Sequence, residues 1–224
     1  MIAIYGQGVG PEIAASGRFD DTGLLETTVA ETRVWFDGVP GPIVSADLFQ
    51  IVVQAPYEIA GKQSVTVQAF YRDVPSNRIG VQVVDSAPEI FRVIGSNEAV
   101  AVNQNGSPNS QSSPAEPGSV VTFSATGSGQ TSPPGVTGKP AQDPYLRAAL
   151  PVALLVGGNA AAVLDTSAAP GLVGILQIRA RIPPIPLLPG VTRIPRSSPS
   201  AADPAGPVSI FGSNNPKRKR GEIR

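Results

Sequence analysis

The sequence predicts an all-β protein made of two immunoglobulin-like β-sandwiches in tandem. Glycine and proline number 24 each in 224 residues, and both interrupt helices but suit strand ends and hairpin loops. Short apolar runs alternate with polar residues, and one strand-turn-strand unit occurs twice. A sandwich domain needs about 100 residues, so the chain has room for two.

Alternation of apolar and polar residues is clearest over residues 64–71, and it predicts a half-buried strand. Further strand-like runs end at turn or breaker residues, as expected for short strands. These runs are residues 34–36 before Asp37-Gly38, 48–55 before Pro56, 152–156 before Gly157-Gly158, and 175–182 before Pro183.

An internal repeat relates the two halves. Phe36-Asp37-Gly38 aligns with Val156-Gly157-Gly158, and Ile43-Val44 then falls on Val163-Leu164 without a gap. A seven-residue insertion within 165–174 brings residues 48–51 onto 175–178. Upstream, Ile4 matches Phe123, Gly8 matches Gly127, and Gly10 matches Gly129. Such repetition indicates a duplicated domain.

The repeat and the composition predict four regions. Residues 1–86 form the first sandwich, 87–118 connect it to the second, 119–195 form the second, and 196–224 are a disordered tail. The stretch 103–118 is rich in Ser, Asn and Pro, which indicates a linker or a long loop. A start resembling residues 2–8 recurs at Pro207–Asn214, without room for a third domain.

Three segments of the first half and their counterparts in the second resemble a known family. They are Ile4–Pro11, Phe36–Pro40 and Val53–Gly61, with 125–131, 156–158 and 169–174 in the second half. The family is one of uncharacterised C-terminal modules of secreted proteins from soil Acidobacteria such as Solibacter. It is similar to paired IPT/TIG-type immunoglobulin-like domains. The resemblance implies an extracellular or envelope setting and no known catalysis, and it supplies no binding residues.

The sequence departs from that family at both ends. It starts inside the expected first strand, and the final strands of the second sandwich are hard to find in 184–199. A truncated or frame-shifted gene would explain this, so an incomplete second sandwich with an exposed edge stays an open alternative. An export signal is expected upstream of this segment.

Composition excludes several function classes. The sequence has no Cys and no His, which removes disulfides, thiolate chemistry, Ser-His-Asp catalysis and most transition-metal ligand sets. Lys plus Arg equals Asp plus Glu at 17 each, so no net charge favours nucleic acid. No apolar run reaches the ~18–20 residues that span a bilayer, so membrane insertion is not predicted.

Three polar motifs are candidates for calcium binding, phosphate binding and nucleophilic catalysis. Asp20-Asp21 with Glu26 offers oxygen ligands for calcium, but a solvated loop is favoured because the calcium-loop spacing is missing. Gly6-x-Gly8-x-Gly10 lacks the phosphate-loop spacing and favours a strand bulge. Three serines are potential nucleophiles, namely Ser124, Ser128 and Ser132. Without a histidine they would need a lysine as the base, and Lys139 is the nearest, so catalysis by these serines is not favoured.

Aromatic and basic residues offer two further candidates. Five aromatic residues could form a carbohydrate or peptide platform, although packing in the core is the favoured interpretation; they are Trp35, Phe36, Phe49, Phe70 and Tyr71. The run Lys217–Arg220 resembles a targeting or polyanion-binding motif, and a solvated tail is favoured.

The sequence therefore predicts a non-catalytic spacer or adhesion module of an exported bacterial protein, secreted or in the cell envelope. Its expected partners are other domains of the parent protein. No catalytic, cofactor-binding or metal-binding residue is predicted, and no cofactor. A carbohydrate- or protein-binding module is the alternative, and a hydrolase that uses paired carboxylates is a remote one.

Overall fold

The fold is all-β, as predicted. The computed structural model describes residues 1–184 and the backbone of residues 209–212. Its strands pair antiparallel in several sheets, and the described residues contain no α-helix. Within residues 1–184, no helix is both long and apolar enough to cross a membrane.

The first repeat is built from residues 1–83. A 3₁₀ turn at Tyr57–Ile59 follows Pro56 and leads into its longest strand. Its ten strands are β1 (Ile2–Tyr5), β2 (Ala15–Ser16), β3 (Thr28–Val29), β4 (Thr32–Phe36), β5 (Val39–Pro40), β6 (Ile43–Ala46), β7 (Gln50–Val53), β8 (Ser64–Tyr71), β9 (Val74–Pro75) and β10 (Ile79–Gln82).

These strands form two sheets that bury a common core. One sheet has the order β1-β7-β6-β2, and the other has the order β10-β8-β4-β3 with β5 on β4 and β9 on β8. Inward side chains alternate with outward ones, and the inward set from both sheets makes one cluster. Phe36, Ile43, Ile51 and Val53 are at most 1% exposed within it. Full burial of one such side chain contributes about 1.5–3 kcal/mol.

The second repeat comprises residues 87–184 with residues 209–212. Its core cluster includes Phe123, Leu154 and Ile178. Its nine strands are β11 (Glu89–Ile90), β12 (Ala101–Val102), β13 (Val120–Thr126), β14 (Thr131–Ser132), β15 (Arg147–Ala148), β16 (Val152–Val156), β17 (Asn159–Ala168), β18 (Leu176–Arg181) and β19 (Ser209–Gly212).

Strand pairing in the two repeats follows the alignment predicted from sequence. Ile4 of β1 lies opposite Ile51 of β7, and the aligned Phe123 of β13 lies opposite Ile178 of β18. The second partner of β7 is β6, and the second partner of β18 is β17. Residues 43–46 of β6 align with residues 163–166 of β17, which begins directly after the tight turn, whereas β6 is preceded by the short strand β5. The duplicated unit is therefore a duplicated arrangement in space.

Two irregularities are shared at aligned positions. The turns Asp37-Gly38 and Gly157-Gly158 have positive φ at both residues, as two-residue hairpins of matching twist require. The register then shifts between Ile43 and Ser45 in the first repeat, and between Val163 and Asp165 in the second. The same turn and the same bulge thus bend the chain from one partner strand to the next.

The insertion in the second repeat lengthens one strand. β17 runs to Ala168, whereas the aligned β6 ends at Ala46, which corresponds to Thr166. The added residues give β15 a pairing partner, since Arg147 lies opposite Ser167. β14 then pairs with β15 at the edge of this sheet.

Three strands lie in regions that the sequence assigned to a connector and a tail. β11 and β12, within residues 87–118, both pair with β13. β19, within residues 196–224, pairs with β16 in the position that β8 takes beside β4. The boundaries proposed at 86, 118 and 195 stay predictions, and Lys217–Arg220 lies outside the described residues.

Candidate functional site

An exposed sheet face in the first repeat carries most of its unusual chemistry. Along β4, Thr32, Val34 and Phe36 are buried and point into the core, which sends Arg33 and Trp35 outward. Along β8, Val65, Val67 and Ala69 are buried, so the intervening Thr66, Gln68 and Phe70 lie on the same outer face. We call Arg33, Trp35, Gln68 and Phe70 the aromatic face.

Register sets the spacing of these four side chains. Arg33 lies directly opposite Phe70, and Trp35 lies directly opposite Gln68. Directly opposed residues on one face have Cβ atoms about 4.5–5.5 Å apart, and diagonal neighbours are within reach of large side chains. Trp35 and Phe70 are diagonal neighbours, so two rings and two polar groups share one patch.

Fixed polar contacts hold the patch in place. The Arg33 guanidinium lies 5.8 Å from the centre of the Phe70 ring and forms an ion pair with Asp73. Gln68 donates from Nε2 to the Ser76 carbonyl at 2.9 Å and accepts at Oε1 from Arg78 Nε at 3.3 Å. Both the oxygen and the nitrogen of the Gln68 amide are hydrogen-bonded, which restrains its rotamer. The same contact holds Arg78 at Gln68, the residue that lies opposite Trp35.

The expectation that the aromatic residues form the core is therefore wrong for four of the five. Only Phe36 belongs to the buried cluster. Trp35, Phe70 and Tyr71 are half-buried, and Phe49 is 60% exposed. The alternation along β8 already indicated the outward position of Phe70, because Phe70 follows the polar Thr66 and Gln68 at a spacing of two residues.

A second feature is the junction between the two repeats, formed by the loop between β14 and β15. Its Gly138 donates its N–H to the buried Gln54 Oε1 at 2.8 Å and accepts the Leu25 N–H at 2.8 Å. Gly138 has φ +80°, and a Cβ there would lie 3.3 Å from the Leu25 carbonyl oxygen and from Pro42. The positive φ favours glycine here, and a Cβ would also be in tight contact with its neighbours.

Further hydrogen bonds surround this central contact. Thr137 Oγ1 accepts the Tyr57 N–H at 2.9 Å and donates to Glu58 Oε2 at 2.6 Å. Gln130 Nε2 donates to the Tyr57 carbonyl at 3.0 Å. Burial raises the pKa of the Tyr57 hydroxyl, whose ring lies against Gly135. The 3₁₀ turn after β7 is thus the docking point of the second repeat.

The polar motifs considered for metal or phosphate binding have local structural roles. Asp20 Oδ1 accepts hydrogen bonds from the backbone and hydroxyl of Thr22 and from the Leu24 N–H, which closes a loop on itself. Within residues 1–184, no group of three acidic residues is placed to hold a metal ion. Gly8 has φ +69° in the turn after β1, and Gly10 packs against the Asp47 backbone.

The carboxyl groups with shifted pKa values are shifted in one direction. Hydrogen bonds from Thr22 and Leu24 lower the pKa of Asp20, and the Thr66 N–H lowers the pKa of Asp37. A general acid of a glycoside hydrolase needs a raised pKa instead. These two carboxylates are therefore stabilised in the charged form and suit loop closure rather than proton donation.

Comparison with known proteins adds no relative. No protein-family model, no curated protein and no solved structure matches the chain.

Proposed function

We propose that the chain is a non-catalytic spacer that holds neighbouring parts of an exported protein at a fixed geometry. The observation that carries the proposal is the junction. Linked domains move relative to each other by default unless their interface is substantial. Here the Gln54–Gly138 hydrogen bond is buried. Two further hydrogen bonds flank it: the Leu25 N–H donates to the Gly138 carbonyl, and the Tyr57 N–H donates to the Thr137 hydroxyl.

The arrangement of the junction favours stiffness over recognition. Gln54 is 4% exposed, and its carbonyl oxygen has exchanged water for the Gly138 N–H. Undocking would exchange this hydrogen bond for hydrogen bonds to water, and an intramolecular hydrogen bond of this kind contributes a net stabilisation of about 0.5–1.5 kcal/mol. A loop docked by several such bonds transmits orientation from one repeat to the next.

The finer assignment rests on the resemblance in sequence. The quoted segments are similar to paired IPT/TIG-type modules of secreted bacterial proteins, and the aligned turn and bulge of the two repeats support a paired immunoglobulin-like arrangement. We propose that setting, secreted or envelope-bound, with adhesion or display of other domains as the role. The lack of Cys and His supports a non-catalytic function.

Nuclear magnetic relaxation of backbone amides tests the spacer. In a stiff pair, amides of β8 and of β18 report one common rotational diffusion tensor. Thr137→Ala removes two hydrogen bonds at the junction and is expected to shorten the correlation times of the two repeats and to make them differ, because the undocked state becomes more populated. Thr122→Ala, on β13, is the matched control and leaves tumbling unchanged. Independent tumbling of the two repeats in the unaltered chain would overturn the proposal.

A further inference from the structure

We propose that the aromatic face of the first repeat binds an acidic polysaccharide, one that contains uronic-acid residues. This binding site goes beyond the spacer function and does not depend on it. The ligand class follows from two properties of the face: two aromatic side chains that are diagonal neighbours on paired strands, and two guanidinium groups, Arg33 over the Phe70 ring and Arg78 at Gln68.

The rings favour a sugar ligand. Trp35 and Phe70 point away from the core and are diagonal neighbours on adjacent strands. A pyranose ring presents an apolar C–H face that packs on an aromatic surface, while its hydroxyls need polar partners at the edge. Gln68 and Thr66 supply such groups on the same face, in line along β8.

Charge narrows the ligand to an acidic glycan. Two guanidinium groups lie at this face, Arg33 and Arg78, and one carboxylate, Asp73, pairs with Arg33. Among the described residues, Arg78 makes no ion pair and its contact is with the neutral Gln68 amide. Across the described residues, the face therefore carries one uncompensated positive charge, Arg78, at the Gln68 amide that lies opposite Trp35. Planar guanidinium matches a carboxylate in bidentate geometry.

Single-stranded nucleic acid would use the same two interactions, but the charge is too low for it. Such proteins bind through a positively charged groove that follows the phosphates. The whole chain has 17 basic and 17 acidic residues. In the part of the chain that the structure describes, Arg78 is the one guanidinium group of the face that makes no ion pair. A polysaccharide with one carboxylate per sugar and many hydroxyls fits that balance better.

Affinity gel electrophoresis and fluorescence titration of the whole chain test the proposal. Trp35 is the single tryptophan, so its emission reports on the face directly. Oligogalacturonate and oligoguluronate are the acidic probes, with cello-oligosaccharides, xylo-oligosaccharides and a single-stranded oligonucleotide as alternatives. We expect a change in Trp35 emission and retarded migration with an acidic glycan only.

Variants separate the contributions of ring and charge. Arg78→Gln, at an exposed position, is expected to weaken binding by about tenfold or more, since a hydrogen bond to a charged group contributes about 1.5–3 kcal/mol. Trp35→Ala is expected to abolish binding, and Trp35→Phe to retain part of it. The controls are Arg179→Gln on β18 and Phe49→Ala, which is 60% exposed outside the face. Circular dichroism checks that each variant is folded.

Three results would overturn the proposal. The first is the absence of binding to both acidic glycans by the folded, unaltered chain. The second is equal binding of neutral glycans or preferential binding of the oligonucleotide. The third is unchanged affinity in folded Arg78→Gln or in folded Trp35→Ala.

Discussion

Removal of the buried acceptor at Gln54 should loosen the junction without unfolding either repeat. Gln54→Met keeps the length and the methylene groups of the side chain but deletes the oxygen that accepts the Gly138 N–H at 2.8 Å. The donor would then lie unpaired in a buried site, which costs about 1–3 kcal/mol. The docked state loses this much relative to the undocked state, in which water satisfies the amide.

Amide hydrogen exchange at Leu25 measures that change. The Leu25 N–H donates to the Gly138 carbonyl at 2.8 Å, so it exchanges when the loop leaves. Since about 1.4 kcal/mol is a factor of ten, the expected loss accelerates its exchange by roughly 5- to 150-fold. The Gly41 amide, bonded to Val34 within the first repeat, should keep its rate.

The matched control is Gln63→Met. Gln63 is exposed, and surface substitutions of this kind usually change stability by less than about 0.5 kcal/mol. Leu25 exchange should therefore be unaltered in this variant. An equal rate in Gln54→Met and in the unaltered chain would show that the buried hydrogen bond does not hold the loop, and the reasoning would fail.

Three further predictions concern stability, measured by urea denaturation. Thr32 Oγ1 is buried without a hydrogen-bond partner among the described residues, so Thr32→Val should raise the free energy of unfolding by about 1–3 kcal/mol; a loss would contradict this. Ile51→Ala and the aligned Ile178→Ala should each destabilise their own repeat by about 2–5 kcal/mol, and a neutral Ile178→Ala would contradict the paired cores. The lowered pKa of Asp37 means that its stabilisation is present above its unfolded pKa and is lost as the pH falls below about 4. Asparagine tolerates the positive φ at this position, so Asp37→Asn should reduce the loss of unfolding free energy at acid pH. An unchanged pH dependence would refute the contribution of Asp37.

Local pattern was sufficient to predict the strands and the repeat. Alternation over residues 64–71 corresponds to β8, and the alignment of Gly38 with Gly158 predicted two turns of the same geometry. These features depend on residues close in sequence, where turn chemistry and side-chain period decide the conformation. The bulge at 43–45 and 163–165 was not predicted: the gapless match of residues 43–44 with 163–164 makes the two positions equivalent, but the register shift is visible only in the structure.

The junction could not be predicted in the same way. Gln54 and Gly138 are 84 positions apart, and nothing in either local sequence identifies the other as its partner. The strands β11 and β12 were also missed, since a strand of two residues is too short to show an alternation of apolar and polar side chains. Trp35 was placed wrongly for a different reason. The run Val34-Trp35-Phe36 is apolar throughout, so it hides which face each residue takes.

The docking point after β7 also limits how many repeats can be joined in series by the same contact. The residues of the second repeat aligned with Gln54 and Tyr57 are Arg181 and Pro184. Arg181 is exposed and donates to the Gly118 carbonyl at 2.7 Å, and proline has no N–H to offer an incoming threonine. Head-to-tail contacts of this kind can propagate indefinitely when every unit presents both halves. Here only one unit presents the receiving half, so a longer array would require a different connection at its next step.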